Sequence, residues 1–204
     1  MTVWEPLAAA VEARLIAASS GERAVFAAGV AERLLASHEA LPAHEHDPFT
    51  LSLRPLLEHV WAGALGDATA SRAVRRGVAE IMLGDHGHHD GPYGPYGPRD
   101  EHEPAAAAVL DAAHAHLFGC RDFASWVSGH AVAALDHDPD GAEWPDHEIP
   151  GIDEAIATEL RRQVRDLDLI ATCSTQLHVA GLGLFPSTAA RLGDALRTPL
   201  SRPA

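Results

Sequence analysis

The sequence predicts an all-α fold, a single-domain antiparallel helical bundle of about seven to eight helices. Apolar residues recur at helical spacing along most of the chain, beginning with Leu7, Val11 and Leu15. Hydrophobic residues make up 47% of the chain, which is enough to form a sizeable buried core. Segments rich in proline and glycine separate the periodic stretches, and short connections favour antiparallel packing of neighbouring helices.

The first half of the chain predicts four helices. They are expected over residues 3–18, 22–39 and 53–65, and from Thr69 or Ser71 to Leu83. Ser52 is the expected N-cap of the third helix, because serine accepts a hydrogen bond from the first turn, and Pro55 is tolerated in that turn. The apolar residues of the fourth helix, including Met82, are expected in the core.

The second half of the chain predicts three more helices and a C-terminal appendage. The helices are expected over residues 105–118, 122–136 and 153–179. Pro104 fits the first position of the fifth helix, and Gly119 ends it. The bundle domain is expected to span residues 1–180, followed by a short C-terminal helix and a tail over residues 181–204.

The charge of the chain argues against nucleic acid and membranes as partners. Acidic residues exceed basic ones by 29 to 15, which gives a formal net charge of −14. Such a field repels phosphate backbones and anionic membrane surfaces. We therefore expect a protein partner, a basic one above all, or a homo-oligomer.

Several absences in the sequence narrow the chemistry and the location. The chain has no lysine, which excludes a Schiff-base lysine, a P-loop lysine and pyridoxal phosphate attached in the usual way. It has no signal-like start and no apolar run of about eighteen residues. Cys120 and Cys173 form no CxxC pattern and are expected to be reduced thiols. These features predict a cytoplasmic protein.

A His/Gly/Pro/Tyr-rich central loop, residues 84–103, divides the bundle into two helical halves. Its prolines exclude a helix, because each lacks an N–H group. His86, His88 and His89 lie close together there, and imidazoles bind Zn²⁺, Ni²⁺, Co²⁺ or Fe²⁺. The loop is either a solvated segment or a binding site for a divalent transition metal, the one cofactor that the sequence suggests.

A second group of histidines lies on the predicted fifth and sixth helices. His130 and His137 follow Trp126 on one side of the sixth helix, and His114 lies on an apolar face of the fifth. If these two helices form a hairpin, His114 and His130 face one another. They are then either metal ligands or partly buried, hydrogen-bonded core histidines.

Five segments resemble a YjaG-like bacterial family of small all-helical proteins of unknown function. They are AVFAAGVAERLLASHEAL, LRPLLEHVWAGALGD, AAAAVLDAAHAHLFG, SWVSGHAVAALDHD and ELRRQVRDLDLI, and they cover most of residues 24–170. The resemblance implies an all-helical cytoplasmic protein that self-associates, and it brings no activity, cofactor or catalytic residue. The central loop and the segment beyond Gly181 depart from the family pattern.

The segment GHAVAALDHDPDG resembles the HD-type metal phosphohydrolases, which are also all-helical. The resemblance implies that His137 and Asp138 hold a divalent metal together with an upstream histidine and a later aspartate, and that the metal activates water. The candidates for these two positions are His102 or His114 and Asp166 or Asp168. The chain departs from the pattern at Pro139 and Asp140, where that class continues with an apolar residue and glycine.

The sequence leaves two functions from different classes. The first is a non-enzymatic protein that acts through protein contacts, in a regulatory, self-assembling or immunity-like role. The alternative is a metal-dependent enzyme or metal-binding protein that uses the histidines and aspartates named above. The chain contains no GxSxG, HExxH or glycine-rich phosphate-loop motif. The charged pairs and runs, Glu32-Arg33 and Arg161, Arg162 and Arg165, are expected on solvated or salt-bridged helix faces.

Overall fold

The computed structural model describes residues 2–83, 104–136 and 151–179, together with Arg197. All regular structure in these segments is helical, which confirms the predicted all-α fold. The helices are α1 (Glu5–Ala17), α2 (Ser20–Glu39), α3 (Pro48–Ser52), α4 (Arg54–Ala64), α5 (Ala70–Leu83), α6 (Pro104–Phe118), α7 (Arg121–Asp136) and α8 (Ile152–Val179).

A capping box fixes the start of α2. The backbone N–H of Glu22 donates to Ser19 Oγ, and the Glu22 carboxylate accepts from the backbone N–H of Ser19. This reciprocal pair satisfies two N–H groups that a helix start leaves without partners. As a result α2 begins at Ser20, two residues before the predicted start.

The predicted N-cap at Ser52 is wrong. Asp47 caps a short additional helix instead, because its carboxylate accepts from the backbone N–H of Thr50 at 2.7 Å and Pro48 follows in the first position. The hydroxyl of Ser52 donates back to the carbonyl of Phe49, so it is not available to α4. Pro55 lies in the first turn of α4, as predicted.

The hairpin of α6 and α7 is confirmed. Pro104 is the first residue of α6, and Gly119 follows its last residue with a φ of +63°, a left-handed conformation that glycine adopts without strain. Gly119 and Cys120 alone connect the two helices, which pack along each other. In this geometry a residue on α6 lies beside the residue on α7 that is about equally far from the turn.

Helix α2 lies at the centre of the bundle and packs against α4, α6, α7 and α8. Phe26 and Val30 of α2 are fully buried, as are Leu57 and Trp61 of α4. Helix α6 faces α2 with a row of buried alanines, whose small side chains allow the two backbones to approach closely. The core therefore combines large side chains from α2 and α4 with small ones from α6.

The prediction that Met82 lies in the core is wrong, because its side chain is 54% exposed. Val74 is buried, and Val78 and Ile81 are half-buried against the core. Among the described helices, α5 packs mainly against α4 and α6. At 100° per residue, Val74, Val78 and Ile81 share a narrow stripe, whereas Met82 lies at its edge.

Two further expectations can be compared with the described residues. Cys120 and Cys173 are free thiols and partly buried, as predicted. In residues 2–83, 104–136 and 151–179, no helix combines the length and the apolar character needed to cross a membrane. The predicted helix over residues 188–197 lies outside the described residues except for Arg197, which is helical and contacts α4.

Candidate functional site

Five of the predicted metal ligands lie outside the described residues. They are His86, His88 and His89 of the central loop, and His137 and Asp138 after α7. His102, a candidate from the phosphohydrolase resemblance, also lies outside them. The structure therefore gives a position to His114 and His130, and to the alternative aspartates Asp166 and Asp168.

Asp111 brings His114 and His130 together across the α6–α7 hairpin. Its Oδ2 lies 2.8 Å from Nε2 of His130, which is a hydrogen bond, and its Oδ1 lies 4.0 Å from Nδ1 of His114. His130 is 3% exposed. Burial tends to raise the pKa of Asp111, but its interactions with His114 and His130 outweigh burial and hold that pKa below its usual value.

The Asp111 group does not have the geometry of a metal site. In the described parts of the chain, no three His, Cys, Asp or Glu side chains are arranged to hold a metal ion. Asp166 and Asp168, the other aspartates considered, each bind an arginine, Arg33 and Arg14 respectively. A metal site that includes the central loop or His137 stays a prediction from the sequence.

Aromatic rings surround His114 at the α6–α7 turn. The His114 ring stacks on Phe118 with centroids 5.9 Å apart and contacts Phe123 at 5.0 Å. Phe123 meets Trp126 edge to face at 5.2 Å. We call Phe118, Phe123 and Trp126 the aromatic surface, because Phe118 is 68% exposed and Trp126 is 54% exposed. Two large aromatic side chains of one continuous cluster therefore face solvent.

A buried ion cluster joins α2 to α8. Arg33 donates to Asp166 at 2.9 Å and to Glu159 at 2.8 Å, and both Arg33 and Asp166 are almost fully buried. Burial raises the pKa of Asp166 above its ordinary value, although Arg33 and Arg162 act in the opposite direction. Arg33 lies on a salt-bridged helix face, one of the two predicted alternatives, and is 6% exposed. Arg162 is 9% exposed, so the solvated alternative is wrong for it.

The position of Arg33 on α2 explains why this salt-bridged side chain is buried. Arg33 follows Val30 by three residues and Phe26 by seven, so all three lie on the core-facing side of the helix. An arginine on such a face must be paired when it is buried, and α8 supplies the carboxylates. In contrast, Arg161 and Arg165 have half or more of their side chains exposed, as expected.

A second ion cluster surrounds Trp61. Glu32 is 8% exposed and accepts from Trp61 Nε1 at 3.0 Å and from Arg54. Arg197 reaches the same place, where it contacts Glu32 and Glu58 and lies over the Trp61 ring at 5.7 Å. The hydrogen bond from Arg197 outweighs burial and lowers the pKa of Glu58. Arg197 therefore contacts both α2 and α4.

No family model, curated protein or solved structure matches the chain. The resemblances to the YjaG-like family and to the HD-type phosphohydrolases therefore remain predictions from the residues alone.

Proposed function

We propose that this protein acts without catalysis, through protein contacts, and that the aromatic surface is where a second copy of the chain binds. The observation that carries the proposal is the exposure of Phe118 and Trp126 in one aromatic cluster. Aromatic side chains are enriched in protein interfaces, and contiguous exposed apolar patches on soluble proteins mark interaction sites.

The exposed rings can supply substantial binding energy. Phe and Trp side chains bury about 150–250 Å² each in a core, so exposures of 68% and 54% leave on the order of 100 Å² uncovered on each ring. At about 25 cal/mol per Å², covering one ring contributes about 2–3 kcal/mol. In a two-fold dimer this contribution counts twice, because the same ring is covered in each of the two copies.

The charges beside the aromatic surface suit contact between identical copies. Arg121 and Asp122 lie next to Phe123 at the start of α7, and in one chain they pair at 3.0 Å. A two-fold axis through the aromatic surface allows Arg121 of one copy to pair with Asp122 of the other, since an isologous interface is self-complementary. The signs of these two residues support a second copy over a partner of uniformly basic surface.

The experiment is sedimentation velocity over a range of protein concentrations. We expect the natural chain to form a dimer, and the double variant Phe118→Ser/Trp126→Ser to weaken the association at least tenfold, because it removes the apolar area that the dimer covers. Met82→Ser is the matched control, since Met82 is also 54% exposed but lies on α5, and it should leave the dimer unchanged.

Two results would contradict the proposal. The first is a natural chain that stays monomeric at all concentrations up to about 1 mM, which corresponds to less than about 4 kcal/mol of association energy. The second is a double variant that dimerises as strongly as the Met82→Ser control. Far-UV circular dichroism of all three chains verifies that the helical content is unchanged.

A further inference from the structure

A cleft of about 250 Å³ lies between α2, α7 and α8, away from the α6–α7 turn. Val30 and Leu34 of α2 line one side, and Ala134 and Leu135 of α7 line another. Arg162 of α8 lines the third side, and we call this space the Arg162 cleft. Arg33 of α2 and Glu159 of α8 also line it, so the cleft combines apolar walls with a few charged groups, a composition typical of a site for a small organic ligand.

Arg162 differs from its neighbour Arg33, which also lines the cleft. Glu159 and Asp166 attract both arginines, but their hydrogen bonds go to Arg33. Arg162 is only 9% exposed, and its buried Nε has no hydrogen-bond partner among the described residues. Leaving a buried donor without an acceptor costs free energy, and an acceptor placed in the cleft would recover it.

The chemistry of the cleft defines the class of ligand. Two arginines and one glutamate line the cleft, and this net positive charge favours a ligand with a single negative charge. The guanidinium of Arg162, whose Nε is without an acceptor in the described segments, matches the two oxygens of a carboxylate. The apolar walls favour a hydrocarbon chain beside that charge. A volume of about 250 Å³ is small beside the roughly 300–1,000 Å³ of pockets that hold drug-sized ligands, so the chain must be short.

We propose that the Arg162 cleft binds a small aliphatic monocarboxylate. The carboxylate accepts hydrogen bonds from Arg162, and its hydrocarbon chain packs against Leu34, Ala134 and Leu135. This site is separate from the proposed dimer surface, so binding at one does not depend on the other.

A larger cavity, of about 430 Å³, lies between α1, α7 and α8 and lacks this combination. The polar groups at its edge are already paired. Ser125 donates to Glu12, and Ser128 donates to Gln163. Trp4 Nε1 donates to Asp153. The buried Arg162 Nε, a donor without an acceptor in the described part of the chain, distinguishes the Arg162 cleft from this cavity.

Isothermal titration calorimetry with sodium butyrate tests the proposal on the full chain. We expect binding with a Kd of about 1–10 mM, a range suited to a ligand of so few atoms. 1-Butanol, which has the same hydrocarbon chain but no charge, should bind at least about tenfold more weakly. Arg162→Gln should likewise weaken butyrate binding about tenfold or more.

Arg165→Gln provides the matched control. It removes the same charge from α8, but the side chain of Arg165 is 72% exposed and pairs at 4.0 Å with Asp166, so butyrate binding should not change. Ala134→Leu fills the cleft without altering a charge, and it should also abolish binding. It keeps the proposal testable if Arg162→Gln does not fold.

Three results would overturn the proposal. The first is the absence of any heat of binding with butyrate at about 50 mM, which excludes a Kd in the expected range. The second is equal affinity for butyrate and 1-butanol. The third is unchanged butyrate affinity in Ala134→Leu or in a folded Arg162→Gln chain. Dimerisation of Arg162→Gln, measured by sedimentation velocity, should equal that of the natural chain. The two proposals can therefore fail separately.

Discussion

Arg33→Gln should cost this protein a large share of its folding free energy. The substitution removes the hydrogen bonds to Asp166 and Glu159 and leaves Asp166, which is 2% exposed, without the arginine that donates a hydrogen bond to it. Removing one partner of a buried ion pair costs about 3–5 kcal/mol, mostly because the remaining charge stays buried without compensation. Total folding free energies are about 5–15 kcal/mol, so the loss is a third or more of a typical value.

Arg14→Gln is the matched control for this prediction. Arg14 on α1 donates to Asp168, only two residues along α8 from Asp166, but the two side chains are 37% and 59% exposed. An exposed pair of this kind contributes about 0–1 kcal/mol, because water solvates both charges after the pair is broken. Urea unfolding followed by circular dichroism measures both variants on the same scale.

The double variant Arg33→Gln/Asp166→Asn distinguishes a buried charge from lost packing. Replacing Asp166 removes the uncompensated carboxylate, so the double variant should regain at least about 1 kcal/mol over Arg33→Gln alone. Equal losses in Arg33→Gln and Arg14→Gln would refute the assignment of a buried ion cluster. A double variant less stable than Arg33→Gln would refute the electrostatic explanation.

Two further predictions concern the contact between α4 and α6, where Gly63 lies against His116. Gly63→Ala should be less stable than Gly129→Ala by about 1–2 kcal/mol in urea unfolding, because a Cβ at Gly63 would lie 2.5 Å from His116 Nε2, whereas a Cβ at Gly129 meets nothing within 4 Å. Equal effects of the two substitutions would contradict this packing. Burial lowers the pKa of His116, so the unfolded chain takes up its proton first as pH falls through about 6.5, and stability falls from there down to the lower folded pKa. His116→Gln should therefore lose less stability than the natural chain between about pH 7.5 and 5.5, and identical pH dependence in both chains would contradict the prediction.

The sequence predicts the helices well because their signals are local. Pro104 and Gly119 define the ends of α6, since a proline fits the first helical position and a glycine adopts the left-handed conformation after the last. The sequence predicts no helix between residues 39 and 53, where α3 lies, because the prolines of this segment indicate a loop. The N-cap of α3, Asp47, lies in the same segment. A cap and a helix-starting proline were both present there, and they are the signal that could have revealed it.

The buried charges could not be predicted with the same certainty, because their partners are distant in sequence. Arg33 and Asp166 are 133 residues apart, and only the packing of α2 against α8 brings them together. The approach of His114 to His130, which meet at Asp111, was easier to predict from the sequence, because a short turn joins their two helices. The aromatic surface was missed, since exposure of Phe118 depends on which face of α6 the other helices leave uncovered.

The salt dependence of self-association tests the proposed function most directly. Two copies with a formal charge of −14 each repel one another, and salt screens that repulsion while the apolar contact of the aromatic surface remains. Sedimentation equilibrium at about 0.05 M and about 0.5 M sodium chloride should therefore show tighter dimerisation at the higher concentration. Dimerisation that weakens as salt is added, or its absence at both concentrations, would contradict a dimer formed through Phe118 and Trp126.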